Sequence, residues 1–249
     1  MNHYLRTQKY DLKWIEENWM GPNPLWLLEE LCSNMHLSPC MKVLDMGCGK
    51  GLTSVFLAKE FGVNVFANDL WIDASENLKR FEEAGVADKV FPIRAEAHTL
   101  PYANDFFDAA ISVDSYHYYG ADEQYFPCIF SKLVKKGGQF GIVSPGLVRE
   151  FPNGYPENMK SFWLGTQTNG ELFSFHSAAW WRSLWEKTEI AEITACYNIP
   201  DPKTLWYPWA HWADKNFKAQ FGLESDDIAF LEADTNDNIA LIVMAAVKK

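Results

Sequence analysis

The chain has 249 residues, 48% of them hydrophobic, and its 33 acidic and 22 basic residues give a net charge of −11. That length fits one α/β domain with an elaboration, or one large domain. The acidic balance, with no basic block, lacks the electrostatic footprint of a nucleic-acid binder.

Five cysteines, Cys32, Cys40, Cys48, Cys128 and Cys196, are scattered without C-x-x-C pairing. The pattern predicts reduced thiols in a cytosolic protein and offers no zinc site. Residues 1–18 are polar and charged, unlike a signal peptide, and no apolar run reaches the roughly eighteen residues of a membrane span.

Residues 1–40 read as helices. Tyr10, Ile15 and Trp19 fall on or near one face of the first, and Gly21-Pro22-Asn23-Pro24 breaks it. Pro24 stands near the start of a second helix, residues 25–34, with Leu27, Leu28 and Leu31 as its apolar stripe. Trp14, Trp19 and Trp26 either pack in the core or belong, around Trp19-Met20-Gly21, to a lid over a ligand.

Residues 41–144 alternate strand and helix. An apolar run, 41–46, enters Gly47-Cys48-Gly49-Lys50-Gly51, and Leu52, Val55 and Phe56 then fall at helical spacing. Glycines at alternate positions let the backbone turn sharply and approach a ligand, because no Cβ intervenes. Asp45 sits at the strand end, where open α/β sheets bind ligands. A dinucleotide turn reads G-x-G-x-x-G; here the third glycine comes one residue early and an acid precedes the first.

The second strand, 63–67, ends in Asn68-Asp69. An acid about twenty residues beyond the glycines suits a ribose. Leu70 and Trp71 follow as candidates to flank a base, with helix–sheet packing the other account of Trp71. A helix over 75–84 and a third strand over 89–94 come next. The fourth strand, 106–114, carries Ser115-Tyr116-His117-Tyr118-Tyr119 at its end, which the strand-end rule turns toward the cleft. A helix over 123–134 and a fifth strand over 139–144 complete the alternation, which implies a parallel sheet with right-handed crossovers.

Residues 145–176 hold Pro145, Gly146, Pro152, Asn153-Gly154 and Pro156, and read as a cap. Over 177–249, Ser177 caps a helix containing Trp180, Trp181, Leu184 and Trp185. A strand follows over 190–199, then a helical insertion over 200–236 and a last strand over 239–247. Seven of the eleven tryptophans lie between Trp163 and Trp212. They serve either as packing or as walls for an apolar, aromatic or cationic small molecule.

The D-x-G-x-G-x-G stretch from Asp45 to Gly51 resembles motif I of the Rossmann-like (class I) methyltransferases that use S-adenosylmethionine. Ala95-Glu96-Ala97-His98-Thr99-Leu100-Pro101 resembles their G-D-A-x-x-L-P. Phe107-Asp108 matches their F-D step, and Lys135-Lys136-Gly137-Gly138 their L-K-P-G-G turn, with lysine in the proline position. The wider sequence looks like bacterial small-molecule methyltransferases.

The resemblance implies an α/β fold: a mostly parallel seven-stranded sheet with helices on both faces, an antiparallel last strand and a helical, aromatic cap. It implies S-adenosylmethionine held by Asp45, Gly47, Cys48, Gly49, Gly51, Thr53, Asp69, Leu70, Trp71, Glu96, Ala97 and Asp114. Glu96 stands where the family has an acid that accepts from the adenine amino group. The extra methylene of Glu over Asp shifts that contact, and Ala95 replaces the family's glycine.

Methyl transfer requires a held nucleophile and a group to take its proton. Histidine as a residue type titrates near neutrality, so His117, expected at the cleft, is the candidate base and Asp114 the next. Met20, Tyr116, His117, Tyr118 and His176 are the expected substrate pocket. The expected partner is a small molecule, with no metal, nucleic acid or membrane. A DNA amino-methylating enzyme would show an N-P-P-Y-like tetrad where this chain has Asp114-Ser115-Tyr116-His117. The cysteines are not spaced for an arsenite methyltransferase, and the glycine spacing opposes a nicotinamide dehydrogenase. The alternative of another class is a non-catalytic binder of S-adenosylmethionine or its demethylated product.

Overall fold

The computed structural model describes residues 4–162, 172–222 and 224–249. Two short helices, α1 (Leu12–Asn18) and α2 (Pro24–Cys32), precede the first strand. Each starts on a side-chain cap: Asp11 accepts from the Trp14 N–H, and Asn23 accepts from the Leu25 N–H one residue before Pro24. The core then runs β1 (Lys42–Met46), α3 (Leu52–Phe61), β2 (Asn64–Asp69), α4 (Ala74–Glu83), β3 (Val90–Arg94) and β4 (Phe107–Val113).

Between β4 and the next strand the expected twelve-residue helix is shorter. A π-type turn, Phe126–Phe130, passes into α5 (Ser131–Leu133). Pro127 sits in the first turn, where a backbone N–H would have no helical partner, so the turn tolerates it. β5 (Val134–Leu147), α6 (Ala178–Glu186), β6 (Ala191–Asn198), α7 (Pro202–Phe221), α8 (Asp227–Ala233) and β7 (Ile239–Lys248) complete the chain.

The seven strands lie in the order β3-β2-β1-β4-β5-β7-β6. Pairing is parallel from β3 to β5, and β7 runs antiparallel to both β5 and β6. The order reverses beside β1, so the crevice between the crossovers opens at the tips of β1 and β4, where such sheets bind ligands. β5 continues past Ser144: Pro145, Gly146 and Leu147 pair with Leu241, Ala240 and Ile239. These three residues are therefore strand rather than the start of the insertion, since the apolar partner strand β7 supplies ladder partners for them.

Side chains alternate across the sheet, and helices cover both faces. One face buries Val43, Val65, Ile111 and Val143 with α2, α3, Phe81 of α4, and Trp206 and Trp209 of α7. The other buries Leu44, Ala110 and Ile142 with Phe126, Phe130, Trp181 and Trp185. Among the described residues no helix is long and apolar enough to cross a membrane.

Candidate functional site

The glycine turn is tied down by backbone and carboxylate together. Gly47 and Cys48 donate their N–H groups to the Asn68 carbonyl, at 2.8 and 3.0 Å. Gly47 has φ +72°, and a Cβ there would fall 1.9 Å from the Ser115 hydroxyl oxygen. Gly51 opens α3 at φ +84°, and a Cβ would meet the Phe81 ring at 2.3 Å. Only glycine satisfies both the left-handed backbone and the close packing.

Asp69 closes the other side. Its Oδ2 accepts from Gly49 N–H at 2.8 Å, and its Oδ1 accepts from Trp71 and Ile72 N–H at 2.8 and 2.9 Å. A carboxylate has about four acceptor positions. Three are taken by backbone, which leaves room for about one further donor, not the pair that a ribose diol alone would offer. Asp69 thus joins the β1 and β2 tips.

Asp45 lies beneath the turn at 1% exposure. Its Oδ2 accepts from the hydroxyls of Thr53 and Ser54 at 2.7 and 2.6 Å, which anchors the first turn of α3. Burial raises its carboxyl from 3.8 to about 6, against the lowering effect of the two hydroxyls, and the Asp69 charge adds to the rise.

A cavity of about 330 Å³ lies over these tips. The structure brings Gly47, Cys48, Gly49 and Thr53 to its wall, with Asp69, Leu70 and Trp71 beside them. Glu96 and Ala97 form another side, and Met20, Asp114 and Tyr118 a third. The Glu96 carboxylate is held by His98, whose Nδ1 lies 2.7 Å from Oε1 and whose N–H donates to Oε2 at 2.9 Å. Those bonds keep it below the usual carboxylate range. Trp71 is 66% exposed with its ring 6.0 Å from that of Tyr118, so it stands at the mouth and is not packed between helix and sheet.

Five expected site residues line neither this cavity nor the one beyond it. Asp45 is below the turn, and Gly51 is sealed against Phe81. Tyr116 points into the opposite core, where its ring meets Trp181 and Trp185 at 5.5 and 5.8 Å. His117 is 1% exposed; its Nδ1 lies 3.1 Å from the Ser144 hydroxyl oxygen, and its ring lies behind Tyr118 and Phe175 at 4.0 and 5.6 Å. His176 stacks on Trp180 at 3.6 Å and contacts Glu150 at 3.2 Å. The strand-end rule fails for Tyr116 and His117 because a 3₁₀ turn, Tyr116–Tyr118, follows the strand at once and rotates successive side chains to different sides.

A second cavity of about 130 Å³ adjoins the first. Met20, Gly21, Pro22, Asp114 and Tyr118 line both. Asp114 takes φ +54°, a conformation uncommon for a residue with a side chain, at the tip of β4. Its Oδ2 would be 1.9 Å from a Cβ at residue 21, so Gly21 is the residue that lets this carboxylate and the N-terminal segment meet.

Beyond the shared wall stand Phe175, Trp206, Trp209 and Phe230, with Asp226 and Asp227. The indole N–H groups of Trp206 and Trp209 donate to the two oxygens of Asp227 at 2.7 and 3.2 Å. Ser115 and Tyr119, which the strand-end rule turned toward the cleft, line the first cavity, whereas sequence reading missed Pro22 and all of this second group apart from its tryptophans. The aspartates follow no motif, and only the fold brings α8 to the strand tips. The tryptophans divide by place: Trp206 and Trp209 form a wall, Trp181 and Trp185 pack in the far core, Trp212 meets Trp19 at 5.9 Å, and Trp163 lies outside the described residues.

Residues 43–138 match the family profile described as a methyltransferase domain. Sterol 24-C-methyltransferase of Yarrowia lipolytica is 27% identical over 131 residues, which is 51% of this chain and 34% of that protein. Sarcosine/dimethylglycine N-methyltransferase of Aphanothece halophytica is 29% identical over 117 residues, 47% of this chain and 42% of that protein. The matches thus span well under half the length of these curated relatives.

Among solved structures, a putative sarcosine dimethylglycine methyltransferase from Galdieria sulphuraria superposes with a TM-score of 0.70 at 18% identity, covering 89% of this chain and 83% of that one. Phosphoethanolamine N-methyltransferase 2 of Haemonchus contortus, in complex with S-adenosyl-L-methionine, gives 0.73 at 22% identity, covering 99% of this chain and 58% of that one. These likenesses concern the fold. With the matched domain, the glycine turn and the sheet order in agreement, residues 43–138 form a methyltransferase domain, and the chain has the fold of the Rossmann-like (class I) S-adenosylmethionine-dependent methyltransferases.

Proposed function

We propose that this chain transfers a methyl group from S-adenosylmethionine to a small molecule. The observation that carries the reading is the pair of adjoining cavities that share Met20, Gly21, Pro22, Asp114 and Tyr118. One holds the methyl donor and the other the acceptor, so the donor's methyl and the acceptor's nucleophile meet in line at the shared wall.

The residues of the first cavity fit the donor. At about 330 Å³ it falls at the lower end of the roughly 300–1,000 Å³ of small-molecule sites. Asp69 keeps an acceptor position for a ribose hydroxyl, Leu70 and Trp71 offer flat apolar surface to the base, and Glu96 with the Ala97 N–H offers polar partners at its edge. The glycine turn leaves room that any side chain would fill. When bound, the sulfonium supplies a methyl group already activated toward attack.

The protein's own part is to bind, orient and exclude water. Met20, Gly21 and Pro22 cover the junction from the N-terminal side. Asp114, which reaches both cavities, is placed to orient the acceptor or take its proton. His117 acts at one remove, by fixing Tyr118 and Phe175 in the acceptor wall. It takes no proton itself in this reading.

The test combines calorimetry with S-adenosylhomocysteine and incubation with isotope-labelled S-adenosylmethionine and a panel of small nucleophiles. Micromolar or tighter binding and label on at least one acceptor are expected. Absence of binding would remove the reading. Binding without turnover on a broad panel would favour a non-catalytic binder.

A further inference from the structure

We infer that the acceptor is a small aliphatic amine, admitted to the second cavity as an ammonium cation. This deepens, and rests on, the methyl-transfer reading above. Three observations on the cavity point the same way.

The first is charge. Among the described residues that line it, every charged side chain is a carboxylate: Asp114 on β4's tip, and Asp226 and Asp227 at the start of α8. No lysine, arginine or histidine is among them. An anionic acceptor, such as a carboxylate or phosphate, would enter against three like charges in a partly apolar space where screening is weak.

The second is the wall. Phe175, Trp206, Trp209 and Phe230 are all buried or nearly so, and they surround the same space. Aromatic faces attract cations through the ring quadrupole, tryptophan most strongly. The third is rigidity. Asp227 accepts from both indole N–H groups and from the Ser225 hydroxyl, at 2.7, 3.2 and 2.7 Å. These bonds fix the two indole planes before any ligand arrives, so little ordering entropy is lost on binding. A neutral phenol or thiol would use the rings and could donate a hydrogen bond, but would gain no charge attraction from the carboxylates.

The chemistry balances. The ammonium gives up a proton at the shared wall, to the Asp114 carboxylate or through it to water. The nitrogen lone pair then forms the new N–CH₃ bond as the S–CH₃ bond breaks and its electron pair goes to sulfur. Positive charge passes from sulfur to nitrogen, so the product is again a cation suited to the same walls. The cavity's size, about 130 Å³, limits the acceptor to a few heavy atoms around the nitrogen.

The test uses the whole protein with S-adenosylhomocysteine filling the first cavity. Choline is titrated against 3,3-dimethylbutan-1-ol, an uncharged molecule of nearly the same shape. Choline is expected to bind at least tenfold tighter, and Asp226→Asn to cut that preference at least threefold while S-adenosylhomocysteine affinity stays within twofold. In a parallel assay, label from S-adenosylmethionine is expected on small primary to tertiary amines and not on phenols, thiols or carboxylates of similar size. If S-adenosylhomocysteine binds but choline shows no preference over its neutral counterpart, or label moves only to non-amine acceptors, this inference is overturned and the methyl-transfer reading stands. If S-adenosylhomocysteine itself does not bind, the underlying reading fails instead.

Discussion

The two cavities are built in opposite ways. The first is made by chain neighbours: strand tips, a glycine turn, and backbone N–H groups converging on Asp69. Its shape depends on φ angles and on missing Cβ atoms. The second is lined by residues 20–22, 114, 118, 145, 162, 172, 175, 206, 209, 217, 225–227 and 230, which no local pattern relates. A site of the first kind tolerates little change, because its shape is backbone. A site of the second kind can change its contents ring by ring while the sheet beneath stays the same. That difference suits one ligand common to a family and another particular to each member.

The largest expected effect attacks the backbone-built side. Gly51→Ala drives a Cβ into the Phe81 ring and strains a left-handed φ. Overpacking and the unfavourable backbone together cost about 3–4 kcal/mol, read by denaturant unfolding. A loss under about 1 kcal/mol would show that the turn is looser than described.

Next is Asp45. Its carboxyl rises from 3.8 to about 6 in the folded protein, so between those values the folded chain holds a proton that the unfolded chain has lost. Stability is therefore highest with respect to this group below about pH 4 and is lost as pH rises toward 6. Asp45→Asn removes the dependence. Relative to the parent, the variant gains about 2–3 kcal/mol between pH 4 and pH 7, measured by denaturation at both values. A constant difference between the two proteins would contradict the buried, proton-sharing placement.

Asp69→Ala is expected to weaken S-adenosylhomocysteine more than tenfold, or about 1.4 kcal/mol, by calorimetry. Trp209→Phe, which touches only the second cavity, should leave that affinity within twofold. Equal losses in both variants would erase the division between the two regions. The smallest effect is His117→Gln: turnover is expected to fall by less than about fivefold, with an unchanged pH–rate profile. Loss of a limb near neutrality would return His117 to the role of base.

The sequence made six of the seven strands legible to within two residues at each end, because each is an apolar run with breaks beside it, whereas β5 extends beyond its expected span at both ends. It made the first cavity legible for the same reason: Gly47, Gly49, Asp69 and Glu96 lie within a turn or two of a strand end. Asp45 was harder, since a strand-tip acid that faces a ligand and one that accepts from Thr53 and Ser54 look alike in sequence. Tyr116 and His117 misled because the direction of a side chain after a strand depends on the next turn. Asp226 and Asp227 carried no signal at all. Their place depends on how α7 and α8 return to the strand tips, which is a property of tertiary packing.

Trp19 meets Trp209 and Trp212 edge to face, at 5.8 and 5.9 Å. That contact fastens the segment before Met20 to α7, which carries Trp206 and Trp209 of the second cavity's wall. One wall therefore serves both cavities: Met20, Gly21 and Pro22 line each of them, next to the segment that this contact holds.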